Sequence, residues 1–111
     1  MGQTNLKGKK FCQILINCPS RKESDKILDM LLEKRLVAGG LITHGPSRYH
    51  WKGKIEEHEY FTISAFSLFK NKQKIISEAR RLHSDKTPVM VFIEIDGNKD
   101  FLKWIEDEVR L

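Results

Sequence analysis

The segment RYHWKGKIEEHEYF, residues 48–61, sets the predicted topology because it places a tight-turn signal in the middle of the chain. Lys52-Gly53 separates two segments with extended, strand-like patterns. The segment after the turn, residues 55–69, changes from charged to apolar side chains halfway along, as expected of a strand that runs from solvent into a sheet. We therefore predict a β-hairpin with strands over residues 37–50 and 55–69.

A strand and a helix are predicted on each side of this hairpin. Before it, FCQILINC (11–18) is a short apolar strand, and Ser20 with Glu23 forms a capping box that begins a helix. After it, apolar residues at helical spacing predict a helix over 71–82, VMVFIEI predicts a strand over 89–95, and a short helix ends the chain. The order βαββαβ with a C-terminal helix is that of the ferredoxin-like α+β sandwich.

This topology makes further predictions about the sheet. Right-handed crossovers place the first strand beside the third and the helices on one face, which leaves apolar residues of the other face uncovered. In the second strand, Gly39 and Gly40 predict a bulge or a close backbone approach. Pro46 predicts that this strand lies at the edge of the sheet or is locally broken.

The net charge of +5 is concentrated at the N-terminus, where Lys7, Lys9 and Lys10 occur in a segment without acids. Nucleic-acid binding would require a basic stripe on the folded body, so no nucleic-acid partner is expected. No apolar run reaches the ~18 residues of a membrane span. We assign residues 1–10 to a flexible basic tail and residues 11–111 to a single domain.

The two cysteines, Cys12 and Cys18, lie on one predicted strand. Their α-carbons would be about 20 Å apart, which is beyond the reach of a disulfide. We expect reduced thiols and a cytoplasmic protein.

The predicted hairpin is longer than the body that carries it. Extended residues 37–51 would span roughly 50 Å, whereas a domain of this size is about 35 Å across. The arm must therefore project or bend at Gly45-Pro46, and a projecting two-stranded ribbon is marginally stable alone. Tyr49, Trp51 and Ile55 near its tip are the side chains that we predict to form a subunit interface.

The histidines of the hairpin raise a metal-site alternative that depends on register. With a two-residue loop, His50 and His58 face opposite sides of the ribbon; with a three-residue loop they share a face beside Arg48. Only the second register permits shared ligation of a metal, and the arginine would repel the cation. Exposed, solvated histidines are the favoured interpretation.

Four segments together resemble the CutA1 divalent-cation tolerance family over residues 11–110: NCPS, LLEKRLVAG, YHWKGKIEEHE and GNKDFLKWI. The resemblance implies a ferredoxin-like protein that forms a homotrimer through its sheet edges and long hairpins. It also implies a role in tolerance of copper and other divalent metals. The fold and trimer of the family are similar to those of the PII signalling proteins, which bind nucleotides.

The chain departs from the family pattern at two places connected with metal chemistry. The usual His-Pro-Tyr-Glu-x-Pro segment reads HSDKTP here, so Asp85 and Lys86 stand at the Tyr and Glu positions. Gly39 stands where the family usually has a cysteine. The loss of a soft ligand and the gain of a lysine both weaken a copper site.

Cys18 and His83 are nevertheless candidate metal ligands. Cys18 ends the first strand and His83 comes just before the antiparallel fourth strand, so both are expected at the same rim of the sheet. A thiolate and an imidazole suit copper or zinc, with a third ligand from Asp85 or from a neighbouring subunit. The alternative is a packed cysteine and a histidine placed favourably at a helix C-terminus.

Two functional hypotheses follow. The first is a homotrimer in divalent-metal (copper) tolerance that binds Cu(II) or another divalent metal at a subunit rim and requires no other cofactor. The second is a PII-like trimeric module that binds a small molecule or a protein partner and has no metal role. An enzyme is not expected, because the chain has no nucleophile elbow, P-loop or dinucleotide-binding motif.

Overall fold

The structure, a computed structural model, describes residues 11–109, so the predicted tail over residues 1–10 lies outside the described part of the chain. The elements follow one another in the predicted order. They are β1 (Phe11–Cys18), α1 (Arg21–Glu33), β2 (Gly39–Trp51), β3 (Lys54–Leu68), α2 (Lys72–Leu82), β4 (Val89–Ile95) and α3 (Lys99–Glu108), with a 3-10 turn over Phe69–Asn71 before α2.

The strands form one antiparallel sheet in the order β2-β3-β1-β4. β1 pairs with β3 and with β4, and the register places Cys18 opposite Phe61 and Asn17 opposite Val89. The end of β1 therefore meets the start of β4, as the topology predicts. The ferredoxin-like α+β fold is confirmed.

β2 is the edge strand that Pro46 predicts, and it is not broken there, because Pro46 pairs with Glu59 in an uninterrupted ladder. No bulge accompanies the paired glycines within this ladder. Instead the close backbone approach is present, since a Cβ added at Gly40 would lie 2.9 Å from the carbonyl oxygen of Ser64. The glycines thus mark a close backbone approach and not a bulge, and the proline marks an edge strand and not a break.

The connection from α1 to β2 explains why β2 begins at Gly39, so that the predicted start at residue 37 is wrong by two residues. Arg35 adopts a left-handed conformation with φ 56°, and the N–H of Leu36 donates to the carbonyl of Leu31 at 2.9 Å. These features are typical of a Schellman-type helix end. The turn directs Leu36 and Val37 into the core, where both are buried, before the chain can join the sheet.

The main core lies between one face of the sheet and helices α1 and α2. β1 contributes every second residue to this face, which is the periodicity of a strand. The buried side chains of this cluster are Cys12, Ile14, Ile16, Cys18, Ile27, Leu28, Leu31, Leu36, Val37, Ile63, Ala65, Ile75 and Ala79.

The opposite face, predicted to be uncovered, is covered at one end by α3. Leu102, Ile105 and Val109 pack there against Phe11 and Leu68. The prediction of a wholly uncovered face is therefore wrong, because the amphipathic C-terminal helix returns to that face. The rest of the face remains open and exposes a set of apolar side chains, namely Leu41, Val89, Val91 and Ile93.

The β2–β3 hairpin projects from the body, as the arm lengths predict. The described part of the chain measures 54 × 23 × 21 Å, and the long axis exceeds the body of a compact domain. Trp51 pairs with Lys54, so the loop consists of Lys52 and Gly53, both with positive φ. Two-residue loops with positive φ at both positions match the twist of a hairpin.

Candidate metal centre and the adjoining cavity

Cys18 occupies the last position of β1 and is fully buried between the sheet and α1. Burial raises the pKa of its thiol to about 12, and the nearby carboxylates of Glu23 and Asp85 add to the rise because a thiolate would be repelled by them. The sulfur is therefore a neutral thiol at neutral pH. Any metal that binds it must displace its proton.

Glu23 reaches the same rim from the first turn of α1. Ser20 caps this helix, since its hydroxyl accepts from the N–H of Glu23 at 3.1 Å. In the predicted capping box, the Glu23 carboxylate would also accept from the N–H of Ser20. In the structure it accepts instead from the N–H of Ser84, a residue distant in sequence, at 3.0 Å. The connection between α2 and β4 is thus fastened to the start of α1.

His83 follows α2 and its side chain is buried. Its Nε2 lies 2.7 Å from the carbonyl oxygen of Asn17, which can only accept, so Nε2 carries the proton. Its Nδ1 accepts from the N–H of Asp85 at 3.1 Å and lies 3.4 Å from the Glu23 carboxylate. These contacts fix one neutral tautomer and direct Nδ1 toward the rim.

Cys18, Glu23 and His83 together form a candidate metal centre, because their ligand atoms all lie within 4.8 Å of one another. Sulfur, nitrogen and oxygen donors in one cluster suit zinc or copper. The donation from Nε2 of His83 to a backbone carbonyl is the outer contact that metal-binding histidines commonly make. The residues therefore fit such an ion, provided that Cys18 loses its proton and Nδ1 exchanges its hydrogen bond for the metal.

The structure brings together two of the three predicted ligands, Cys18 and His83, and adds Glu23. The third predicted ligand, Asp85, lies beside them, but its carboxylate accepts from the hydroxyl of Tyr60 at 2.8 Å. Glu23 was missed because its position in a capping box assigns its side chain to the helix backbone. The signal that identifies it is the short Pro19-Ser20 connection, which keeps the first turn of α1 next to the end of β1.

The hairpin histidines do not form a shared site. The two-residue loop places His50 opposite Ile55 and Ser47 opposite His58, which is the register that separates the two rings. Nε2 of His58 donates to the carbonyl of Pro19 at 3.1 Å. This bond ties the arm to the connection that follows β1.

The predicted interface residues lie on the arm and are partly or largely exposed. Ile55 is 70% exposed, whereas Tyr49 and Trp51 are 37% and 38% exposed. Both aromatic residues line a cavity of about 240 Å³. Tyr60 and the segment Ser84, Asp85, Lys86 and Thr87 complete its lining.

The sequence predicts that the chain has no membrane span, and the helices can be compared with that prediction. None of the helices described between residues 11 and 109 is long and apolar enough to cross a membrane.

Comparison with known proteins supports the resemblance noted from the sequence. The family model described as CutA1 divalent ion tolerance protein matches residues 12–108. The chain is 35% identical over 97 residues to the divalent-cation tolerance protein CutA of Archaeoglobus fulgidus, which covers 86% of this chain and 95% of the relative. It is 28% identical over 97 residues to the divalent-cation tolerance protein CutA of Pyrococcus horikoshii, covering 83% and 91% of the two chains.

Solved structures show the same fold. The CutA structure from Archaeoglobus fulgidus, described as a periplasmic divalent cation tolerance protein, superimposes with a TM-score of 0.87 at 34% identity and covers 90% of this chain and 99% of that chain. CutA1 from Oryza sativa gives a TM-score of 0.87 at 15% identity, covering 92% and 95% of the two chains, which supports the fold alone.

Proposed function

Because this chain belongs to the CutA1 divalent ion tolerance family, we propose that it acts in metal tolerance by binding Cu(II) or Zn(II) through Cys18, Glu23 and His83. The observation that carries the proposal is the convergence of three chemically different ligand atoms at one rim of the sheet. The role is that of a binding protein and not of an enzyme. Asp85 acts beside the ion through its negative charge.

The electrostatics of the cluster make binding depend on proton release. The carboxylates that raise the pKa of Cys18 also attract a cation, so the same charges that oppose a free thiolate favour a metal thiolate. One thiol proton leaves for each ion bound, and affinity rises with pH. The absence of a cysteine at position 39 leaves Cys18 as the thiol of the cluster.

The proposed assembly is a homotrimer. β2 and β4 are edge strands, and exposed edges are prone to pair with another chain. The open part of the sheet face carries exposed apolar side chains, among them Leu41 and Val91. Head-to-tail pairing of such edges closes into a ring, and the family resemblance favours three subunits.

The test is calorimetric titration of the full chain with Zn(II) and with Cu(II). Micromolar binding that is lost in Cys18→Ser, His83→Ala and Glu23→Gln is expected. Cys12→Ser is the matched control for the thiol, because Cys12 is buried on the same face of the same strand but lies outside the cluster. His50→Ala is the control for the imidazole. Binding that survives all three cluster variants would place the ion elsewhere.

A second candidate function is a PII-like module that binds a small molecule, and the cavity beside Tyr60 gives one protomer space for a small ligand. A nucleotide, which is anionic, would instead require a cleft between subunits, because Asp85 lies in this cavity. A parallel titration with ATP separates the two candidates. Nucleotide binding without metal binding would replace the metal proposal. Metal binding without nucleotide binding would retain it.

The proposed compartment is the cytoplasm. Both cysteines are free in the structure, and reduced thiols persist in reducing compartments. The Archaeoglobus relative is described as periplasmic, so localisation by fractionation is the direct measurement.

A further inference from the structure

The cavity between the arm and the α2–β4 connection has walls of two chemical kinds. Tyr49, Trp51 and Tyr60 supply aromatic rings from the hairpin. The connection opposite supplies Asp85, which is half-buried, and Lys86, which is exposed. An apolar lining with a few convergent polar groups is typical of a small-molecule site.

A hydrogen bond from the hairpin orients the carboxylate of Asp85. The hydroxyl of Tyr60 donates to Oδ2 of Asp85 at 2.8 Å. The neighbouring Tyr49 side chain also contacts Tyr60, and this contact adds to the rise in the pKa of the Tyr60 hydroxyl. The two rings meet edge to face, with centroids 5.9 Å apart. Tyr60 therefore holds the carboxylate of Asp85 in place, and the ring of Tyr49 packs against that of Tyr60.

The charges around the cavity favour a cation at its inner end. Burial and the Asp85 carboxylate raise the pKa of Tyr60, so its hydroxyl stays neutral and continues to donate. Glu23 adds negative charge to the same region, since its carboxylate and that of Asp85 both raise the pKa of Cys18. The faces of Tyr and Trp rings also attract cations. Lys86 is the opposing charge, but its exposed side chain belongs to the rim.

We propose that this cavity binds a small molecule with an ammonium group on an aromatic body, the ammonium pairing with Asp85 and the body lying against Tyr49 and Trp51. The volume of about 240 Å³ is below the roughly 300–1,000 Å³ usual for drug-sized ligands and suits a single ring with a short amine chain. The cavity is lined by none of the proposed metal ligands Cys18, Glu23 and His83, although Asp85 borders both sites.

The test uses Trp51 as the reporter. In a Trp104→Phe background Trp51 is the one remaining tryptophan, because the chain has two. The assembled protein is titrated with 2-phenylethylammonium and with 3-phenylpropionate at neutral pH, in the presence of EDTA so that the result is independent of metal. Saturable change of the Trp51 emission by the ammonium compound, and none by the carboxylate compound, is expected.

Substitutions test which charged side chains contribute to binding of the ammonium compound. Asp85→Asn should weaken binding by about tenfold, as expected for removal of a charge-assisted contact, whereas Asp29→Asn, an exposed acid on α1, should not change it. Lys86→Met should tighten binding by about two- to fivefold, because it removes a like charge from the rim. Tyr60→Phe should weaken it by loosening Asp85.

Several results would overturn the proposal. These are binding of phenylpropionate that Lys86→Met abolishes, equal binding of both probes, and an unchanged affinity in Asp85→Asn. A Trp51 emission that neither probe changes would also reject the small-molecule site.

Discussion

Nε2 of His83 donates to the carbonyl oxygen of Asn17 at 2.7 Å, and this bond joins the end of α2 to the last residue pair between β1 and β4. The other nitrogen of the ring accepts from the N–H of Asp85. A single buried imidazole thus connects the central strand to the segment that borders both the metal cluster and the cavity. It has a structural role whether or not a metal binds.

The first prediction concerns this imidazole. His83→Ala should lower the free energy of unfolding by about 1–3 kcal/mol, because it leaves the Asn17 carbonyl and the Asp85 N–H without their partner. Urea denaturation in the presence of EDTA measures the change. His50→Ala, an exposed histidine on the arm, should stay within about 0.5 kcal/mol of the wild type. Equal effects of the two substitutions would show that the buried bonds contribute nothing specific.

The second prediction is a loss of stability at alkaline pH. Burial raises the pKa of Cys12 from 9.0 to about 11 and that of Cys18 from 9.0 to about 12. A raised pKa means that folding favours the protonated thiol, so this stabilisation is complete below pH 9 and is lost as the pH rises through 9 toward 11 and 12. Unfolding midpoints in urea should therefore fall over this range.

A double variant tests the cause of that loss. Cys12→Ser with Cys18→Ser should make the midpoint depend less on pH between 9 and 11, whatever its absolute stability. Single variants divide the effect between the two thiols. A double variant that loses stability as steeply as the wild type would assign the alkaline transition to other groups.

Much of the fold follows from local sequence signals. The Ser20 cap, the alternation in β1 and the Lys52-Gly53 turn each specify an element, and the order of elements restricts the topology. The position of α3 on the second sheet face could not be predicted from the sequence. The apolar side of an amphipathic helix indicates that the helix packs against something, but it does not identify the surface. The start of β2 was also misplaced, since Arg35 shows no sequence sign of a left-handed conformation.

Part of the candidate site could also be predicted, because the topology determines which chain segments meet. Antiparallel pairing of β1 with β4 brings Cys18 and His83 to one rim, and topology alone gives that result. The direction in which a carboxylate points is decided by competition among donors. Glu23 accepts from Ser84 and Asp85 accepts from Tyr60, and neither choice is encoded in spacing.

The third prediction distinguishes three glycines of β2. Gly40→Ala should cost about 1–3 kcal/mol, because its Cβ would lie 2.9 Å from the Ser64 carbonyl oxygen and 3.1 Å from the Cβ of Ala65. Gly39→Ala would meet the ring of Trp104 at 2.8 Å, but this exposed side chain can move. Gly45→Ala meets nothing within 4 Å and is the control.

Thermal unfolding measures the midpoint temperature of each variant. We expect the lowest midpoint for Gly40→Ala, an intermediate one for Gly39→Ala and one close to that of the wild type for Gly45→Ala. Combining Gly39→Ala with Trp104→Ala should remove the specific clash, so the two changes should cost less together than the sum of their separate effects. Additive costs would show that Trp104 does not occupy the space above Gly39.

The fourth prediction concerns assembly through the arm. Trp51 lies beside the two-residue loop of a hairpin that projects beyond the body, and 38% of its surface is exposed in the single chain. In the proposed trimer, a neighbouring subunit covers this exposed part while the other side of the ring continues to line the cavity. Trp51→Ala should then cost roughly 2–4 kcal/mol per interface, the scale of an aromatic interface anchor.

Light scattering over a dilution series measures that cost as a shift of the trimer to lower mass. Trp104→Ala is the matched control, because Trp104 has similar exposure but lies on α3, beside Gly39 at the base of the hairpin and not at its tip. A wild-type mass near 13.0 kDa, the mass of one chain, would reject the interface role of the hairpin. A trimer that withstands Trp51→Ala and dissociates in Trp104→Ala would move the principal contact from the arm to the face that α3 covers.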